Sequence, residues 1–141
     1  MTSFFFEDIK PFDFSIESYR EKISYIIDNE GFIKSNISIV LCSDPYLLAL
    51  NKKHLNHDYF TDIITFSYNE ENKISGDLFI SVDRLKENAK LNAVDFCKEM
   101  ERVVYHGVLH LCGYNDKSEE EIFVMRAKEN YYLELNVSRE T

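Results

Sequence analysis

Apolar residues at Ile16, Tyr19, Ile23, Ile26 and Ile27 follow the three-and-four spacing of an amphipathic helix, and Gly31 stands where that helix should stop. On either side the period changes. "SFFFEDI" reads as a first strand, and "SNISIVLCS", alternating and rich in β-branched residues, as a second. "DPYLLALNKKHL" predicts a helix with Asp44 as N-cap and Pro45 at the first helical position. "TDIITFSY" and "GDLFISVD" predict two further strands, separated by the polar turn "NEENKIS". Asp83 opens a short helix, "DRLKENAKLN", and Asp95 a longer one running to Gly113. Ser118 and Glu121 then have capping-box spacing ahead of "IFVMRAKENYYLEL". Strands fill the first two thirds and helices the end. The pattern predicts an α+β fold, one small mixed sheet of about four strands covered by helices.

Composition narrows the picture. A chain of 141 residues with four glycines, two prolines and no low-complexity tract is expected to form one domain, residues 1–141. Cys42, Cys97 and Cys112 are odd in number and form no CxxC, so neither a disulfide framework nor a zinc ribbon is signalled. The start "MTSFFFEDIKPFDF" has no basic leader pattern, and the expected compartment is the reducing cytoplasm. No stretch approaches the roughly 18 apolar residues of a membrane span, so no membrane association is expected. The formal net charge of −9 repels polyanions. A role on nucleic acid therefore requires a local basic patch, a bound cation or a partner that supplies the positive field.

The candidate chemistry sits in "YHGVLHLCGYND", Tyr105 to Asp116. Residues four apart on a helix share a face, so His106 and His110 can grip one small cation. Gly113 suits the left-handed residue that ends a helix, after which the chain can return and bring Asp116 toward the imidazoles. Two nitrogens and a carboxylate make a three-ligand site with a fourth position open, the pattern of a catalytic divalent ion such as zinc. The same spacing also occurs on packed or solvated faces, Asp116 could instead cap the next helix, and Asn115 is a weaker oxygen donor beside it. Position 107, where HExxH peptidases carry their general base, is glycine. Arg102, one turn before His106, is a candidate phosphate contact, with pairing to Glu99 as the competing assignment. Asp62, Thr65 and Asp77 could line the cleft or anchor strand ends, and Tyr114 could pack beside the site or in the core. Phe79, Ile80, Val103, Leu109 and Leu111 are assigned to packing.

Three segments carry a resemblance. "HGVLHLCGYND" resembles HGxLHLxGYDH, the signature of the YbeY family of ribosomal-RNA maturation endoribonucleases. "LNKKHLNHDYFTDIITFS" resembles that family's LNxxYRxKDxPTDVLSFP, and "SGDLFISVD" its GDI strand, in the same order and spacing. The similarity runs from about Leu50 to Glu121. It implies a metal-dependent, single-strand-specific endoribonuclease that matures the 3′ end of small-subunit ribosomal RNA and serves ribosome quality control. Ribosomal proteins or the small subunit are the implied partners.

Carried over by position, the family's three metal-binding histidines fall on His106, His110 and Asp116, so an anion replaces the third imidazole. The family's arginine falls on Leu55, which cannot hold a phosphate, and its lysine on His57, a candidate phosphate contact or proton carrier near Lys52 and Lys53. Gly107 cannot serve peptidase chemistry, whereas phosphodiester hydrolysis can rely on an electrophilic ion. Two alternatives stay open: a zinc peptidase sharing the two-histidine helix, and a ribosome-assembly factor that binds without catalysis.

Overall fold

The structure, a computed structural model, describes residues 1–55 and 61–140, apart from the side chains of 55 and 136–140. Its elements run β1 (Thr2–Phe6), α1 (Ile16–Asn29), β2 (Ile33–Cys42), α2 (Asp44–Leu55), β3 (Ile63–Ser67), β4 (Lys73–Ser81), α3 (Val82–Leu91), α4 (Phe96–Leu111) and α5 (Glu119–Glu140). The four strands form one mixed sheet in the order β1-β2-β4-β3. β1 pairs with β2 and β2 with β4 in parallel, while β3 closes a hairpin antiparallel to β4. The fold is α+β, as the element pattern predicts.

Strand alternation sorts the core onto two faces. Ile37, Ile39 and Leu41 of β2 and Ile74, Leu78 and Ile80 of β4 join the main core with α1, α4 and α5. The intervening positions turn the other way. Cys42 of β2 and Ile64 of β3 pack with Leu47 of α2, with Phe66 and Phe79 against them. Ile80, Val103, Leu109 and Leu111 are buried, in keeping with their assignment to packing.

Several boundaries differ from the sequence reading, each for a local reason. Ser43, not Asp44, caps α2: its hydroxyl takes the Tyr46 N–H at 3.2 Å. Asp44 is already helical, and its carboxylate instead accepts from the Ser81 hydroxyl at 2.5 Å and from Arg84 Nε at 3.0 Å. Likewise Ser81, not Asp83, caps α3 by accepting the Arg84 N–H at 3.1 Å, which leaves Asp83 to accept the Asp44 N–H at 2.8 Å. β4 begins at Lys73 rather than Gly76. The predicted turn is thereby shortened to the residues around Glu71, whose φ is +54°.

α3 ends with a non-glycine residue in the left-handed region, Ala93 at φ +53°. The Val94 N–H reaches the Ala89 carbonyl and the Ala93 N–H the Lys90 carbonyl, the paired bonds of a Schellman end. A Cβ there strains the backbone, and glycine relieves it at some cost in unfolded-chain entropy. Ala93→Gly is expected to raise stability by about 0.5–1 kcal/mol, read as a higher urea midpoint. A lower midpoint would mean that the turn is not strained.

Candidate metal centre

α4 presents the histidines one turn apart, with their ring centroids 4.6 Å from each other and nearly perpendicular. The helix then stops sharply. Gly113 takes φ +106°, its N–H bonds the His110 carbonyl, and the Tyr114 N–H bonds the Leu109 carbonyl. Tyr114 turns its hydroxyl away from the histidines and donates to Glu30 Oε1 at 2.6 Å, which pins the returning loop to the end of α1. Glu30 also accepts from Tyr132 and from Lys128. Burial alone would raise its pKa, but these donors hold it below the ordinary carboxylate range. Beyond the loop, the Ser118 hydroxyl accepts the Glu121 N–H while Glu121 Oε1 accepts from the Ser118 N–H, a closed capping box. Asp116 is thus free of capping duty.

Asp116 closes a triangle with the histidines. Its Oδ2 lies 3.1 Å from His106 Nε2 and 3.3 Å from His110 Nε2, and the two nitrogens are 3.1 Å apart. Ligands about 2.0 Å from a tetrahedral ion sit about 3.3 Å from one another, so the triangle has the edge lengths of three corners around one ion. His106, His110 and Asp116 form a group that can hold a metal ion.

The sequence reading missed Glu129. Its Oε2 lies 2.6 Å from His106 Nδ1, and its Oε1 accepts from Arg102 Nη1 at 2.9 Å. Glu129 is 3 % exposed. A carboxylate at that distance requires the proton on Nδ1, so neutral His106 presents its Nε2 lone pair to the triangle. That lone pair faces a carboxylate oxygen and a second imidazole. Three electron-rich atoms at such spacing call for a cation in their midst. The electrostatics agree. Burial disfavours charge on His106, yet the Glu129 hydrogen bond, and the charges of Glu129, Asp116 and Asp62, outweigh it and raise its pKa. Burial likewise works to raise Glu129, but His106 and Arg102 bring it below its ordinary value. A signal for Glu129 did exist: it is in helical phase with buried Met125, Tyr132 and Leu133, an acid on a core-facing stripe.

The other predicted residues fall into place around this centre. Arg102 pairs with Glu129 and, through Nη2, with Asn130 Oδ1 at 2.9 Å, rather than with Glu99. Asp62 lines the clefts on both sides of the triangle, and burial raises its carboxyl although His106 opposes that. Thr65 lines one cleft, whereas Asp77 accepts from the Tyr68 hydroxyl at 3.1 Å. His57 lies outside the described residues, so its expected role rests on the sequence alone.

Gly107 explains itself by packing. A Cβ there would meet Ile63 Cδ1 at 2.6 Å and the Leu78 methyls at 3.0 and 3.1 Å. The glycine lets α4 lie close on β3 and β4, and a side chain at 107 would be directed into the sheet.

The chain is thus an α+β protein in which two histidines of a sheet-backed helix and a carboxylate of the loop after it form a group that could hold a metal ion. Residues 7–136 match the family model described as Endoribonuclease YbeY. The chain is 44 % identical to an Endoribonuclease YbeY of Flavobacterium psychrophilum, over 87 % of its own length and 90 % of that relative's. It is 43 % identical to the Cytophaga hutchinsonii protein of the same name, over 95 % of each. The solution structure of the Thermotoga maritima protein TM1509 superposes with a TM-score of 0.67 and 26 % identity, covering 99 % of this chain and 91 % of that one. The chain belongs to the endoribonuclease YbeY family.

Proposed function

We propose that this protein is a metal-dependent endoribonuclease that hydrolyses single-stranded RNA, and that its substrate is ribosomal RNA at the small-subunit 3′ end, in maturation and ribosome quality control. The observation that carries the reading is the His106–His110–Asp116 triangle with the His106 proton held on Nδ1 by Glu129. A donor set of two imidazole nitrogens and one carboxylate suits zinc. When bound, such an ion supplies the electrophile that stabilises charge on a phosphodiester and polarises the attacking water.

The chain's own residues do the rest. Glu129 keeps the His106 lone pair directed inward, and Arg102 holds Glu129 through its second oxygen. Arg102 is therefore a positioning residue that also borders the cleft. Family membership supports RNA as substrate, and the side-chain direction at Gly107 speaks against a peptidase base at that position. With a net charge of −9 the chain repels naked RNA at long range, so a ribosomal partner that delivers the strand fits its electrostatics. No helix among the described residues is long and apolar enough to cross a membrane. We place the activity in the cytoplasm, where ribosomal RNA is matured.

Metal analysis of purified wild type is expected to find about one divalent ion per chain, and His110→Ala to carry much less. Wild type should cut single-stranded RNA, lose that activity to a chelator and regain it with zinc. Full activity in the chelated protein, or a metal-loaded protein inert on RNA, would sink the reading.

A further inference from the structure

Two clefts open from the triangle in different directions. One, of about 450 Å³, lies among α4, α5 and the end of α3 and is bordered by Asn88, Ile122 and Arg126. The other, of about 580 Å³, runs along β3 and is bordered by Thr65, Ser67 and Lys117. Asp62, His106 and Asp116 line both, so the metal centre is their junction rather than the end of either. Among the described residues β3 is an edge strand, paired with β4 alone, and the second cleft follows it from Ile63 to Ser67.

Each arm carries one cation whose charge is little spent. The Arg126 side chain is 60 % exposed, and its carboxylate, Glu129, lies 3.6 Å away and already serves His106 and Arg102 at shorter distances. The Lys117 side chain is exposed and engages no carboxylate among the described residues. In a chain this acidic, Arg126, exposed and only loosely paired, and Lys117, exposed, thus stand on opposite arms of one junction.

We propose that the two clefts form one continuous groove for a single RNA strand, with Arg126 and Lys117 gripping phosphates on opposite sides of the scissile one. The inference rests on the endoribonuclease reading and adds the strand's path to it. A strand cut internally must continue past the reacting phosphate in both directions, and a two-armed groove with its metal centre at the middle allows that. The arms differ in chemistry. Ile122, 50 % exposed beside Arg126, offers an apolar surface to a base, whereas Thr65 and Ser67 offer hydroxyls to sugar and phosphate.

The test uses Arg126→Gln, Lys117→Gln, the double variant and Arg126→Lys. Fluorescence anisotropy of a labelled single-stranded oligoribonucleotide, with the chelated full-length protein, gives affinity as a function of salt. Each Gln variant is expected to reduce the slope of log affinity against log salt by about 0.7 and the double variant by about 1.4, with Arg126→Lys near wild type. In parallel, zinc-loaded proteins are given substrates shortened on the 5′ or the 3′ side of a mapped cut. Each Gln variant should become indifferent to shortening at one end only, and the two at opposite ends. Unchanged salt slopes, or both variants responding at the same end, would overturn the groove. RNA cleavage that persists under either result leaves the endoribonuclease reading standing. Altered slopes without any cleavage would sink that reading and keep the groove.

Discussion

Glu129→Gln is expected to lower the affinity for zinc by about 10–100-fold, toward the upper end, while leaving the fold intact. The reason is a count of oxygens. Glu129 uses Oε1 for Arg102 and Oε2 for His106, and both partners are donors. Glutamine has one oxygen and one NH2 group, so one of the two partners must face a donor. The guanidinium, a fixed cation, has the stronger claim on the remaining oxygen. His106 Nδ1 then meets the amide NH2 and must become the acceptor, which moves the ring proton to Nε2 and points it into the triangle. A proton there competes with the ion for the same lone pair.

The companion variants separate this account from a general loss of structure. Arg102→Gln should cost less affinity, because the second carboxylate oxygen still holds His106. Glu129→Ala should also lose about 1–3 kcal/mol of stability, since it removes the carboxylate that pairs Arg102 and leaves the half-buried guanidinium with Asn130 alone. Competition against a chelator of known strength measures the first effect and urea denaturation the second. Glu129→Gln binding zinc within a factor of two of wild type would show that the hydrogen bond does not set the His106 tautomer.

What the sequence revealed about this centre divides along one line. Features that depend on neighbours within about a turn of chain were legible: the His106–His110 spacing, the stops at Gly31 and Gly113, and the Ser118–Glu121 box. Features that depend on a partner far along the chain were not. Asp44 and Asp83 look like caps because short acids favour that position, but β2 and β4 end side by side and direct those carboxylates across the sheet edge to Ser81 and to a backbone N–H. The adjacent serines take the caps instead. Arg102 has Glu99 at helical spacing, yet Glu99 turns to Asn92 while α5 lays Glu129 and Asn130 against the guanidinium. Glu129 itself is 23 residues from the histidine it bonds, a relation that only the packing of α5 on α4 creates.

The largest loss is expected where the sequence looks most easily repaired. Gly107→Glu rewrites HGVLH as HEVLH, the string of a zinc peptidase. At a surface position the change would even favour the helix, since glycine costs it about 1 kcal/mol. Here the new Cβ alone would stand 2.6 Å from Ile63 Cδ1 and about 3 Å from both Leu78 methyls. Leu78 is fully buried in the main core, so it has little room to move aside. Overpacking of that kind costs about 1–3 kcal/mol, and a carboxyl driven between apolar side chains adds its own desolvation. The sum exceeds about 3 kcal/mol, a large share of the 5–15 kcal/mol that holds a typical domain together. Gly107→Ala, which meets the same contacts but buries no charge, should lose only about 1 kcal/mol after the helix gain is set against the clash. Urea midpoints of the three proteins rank these effects. If Gly107→Glu instead melts like wild type and cleaves a peptide, position 107 faces the open side of the metal centre. The absent acid, rather than the close approach of α4 to the sheet, would then be what separates this chain from a peptidase.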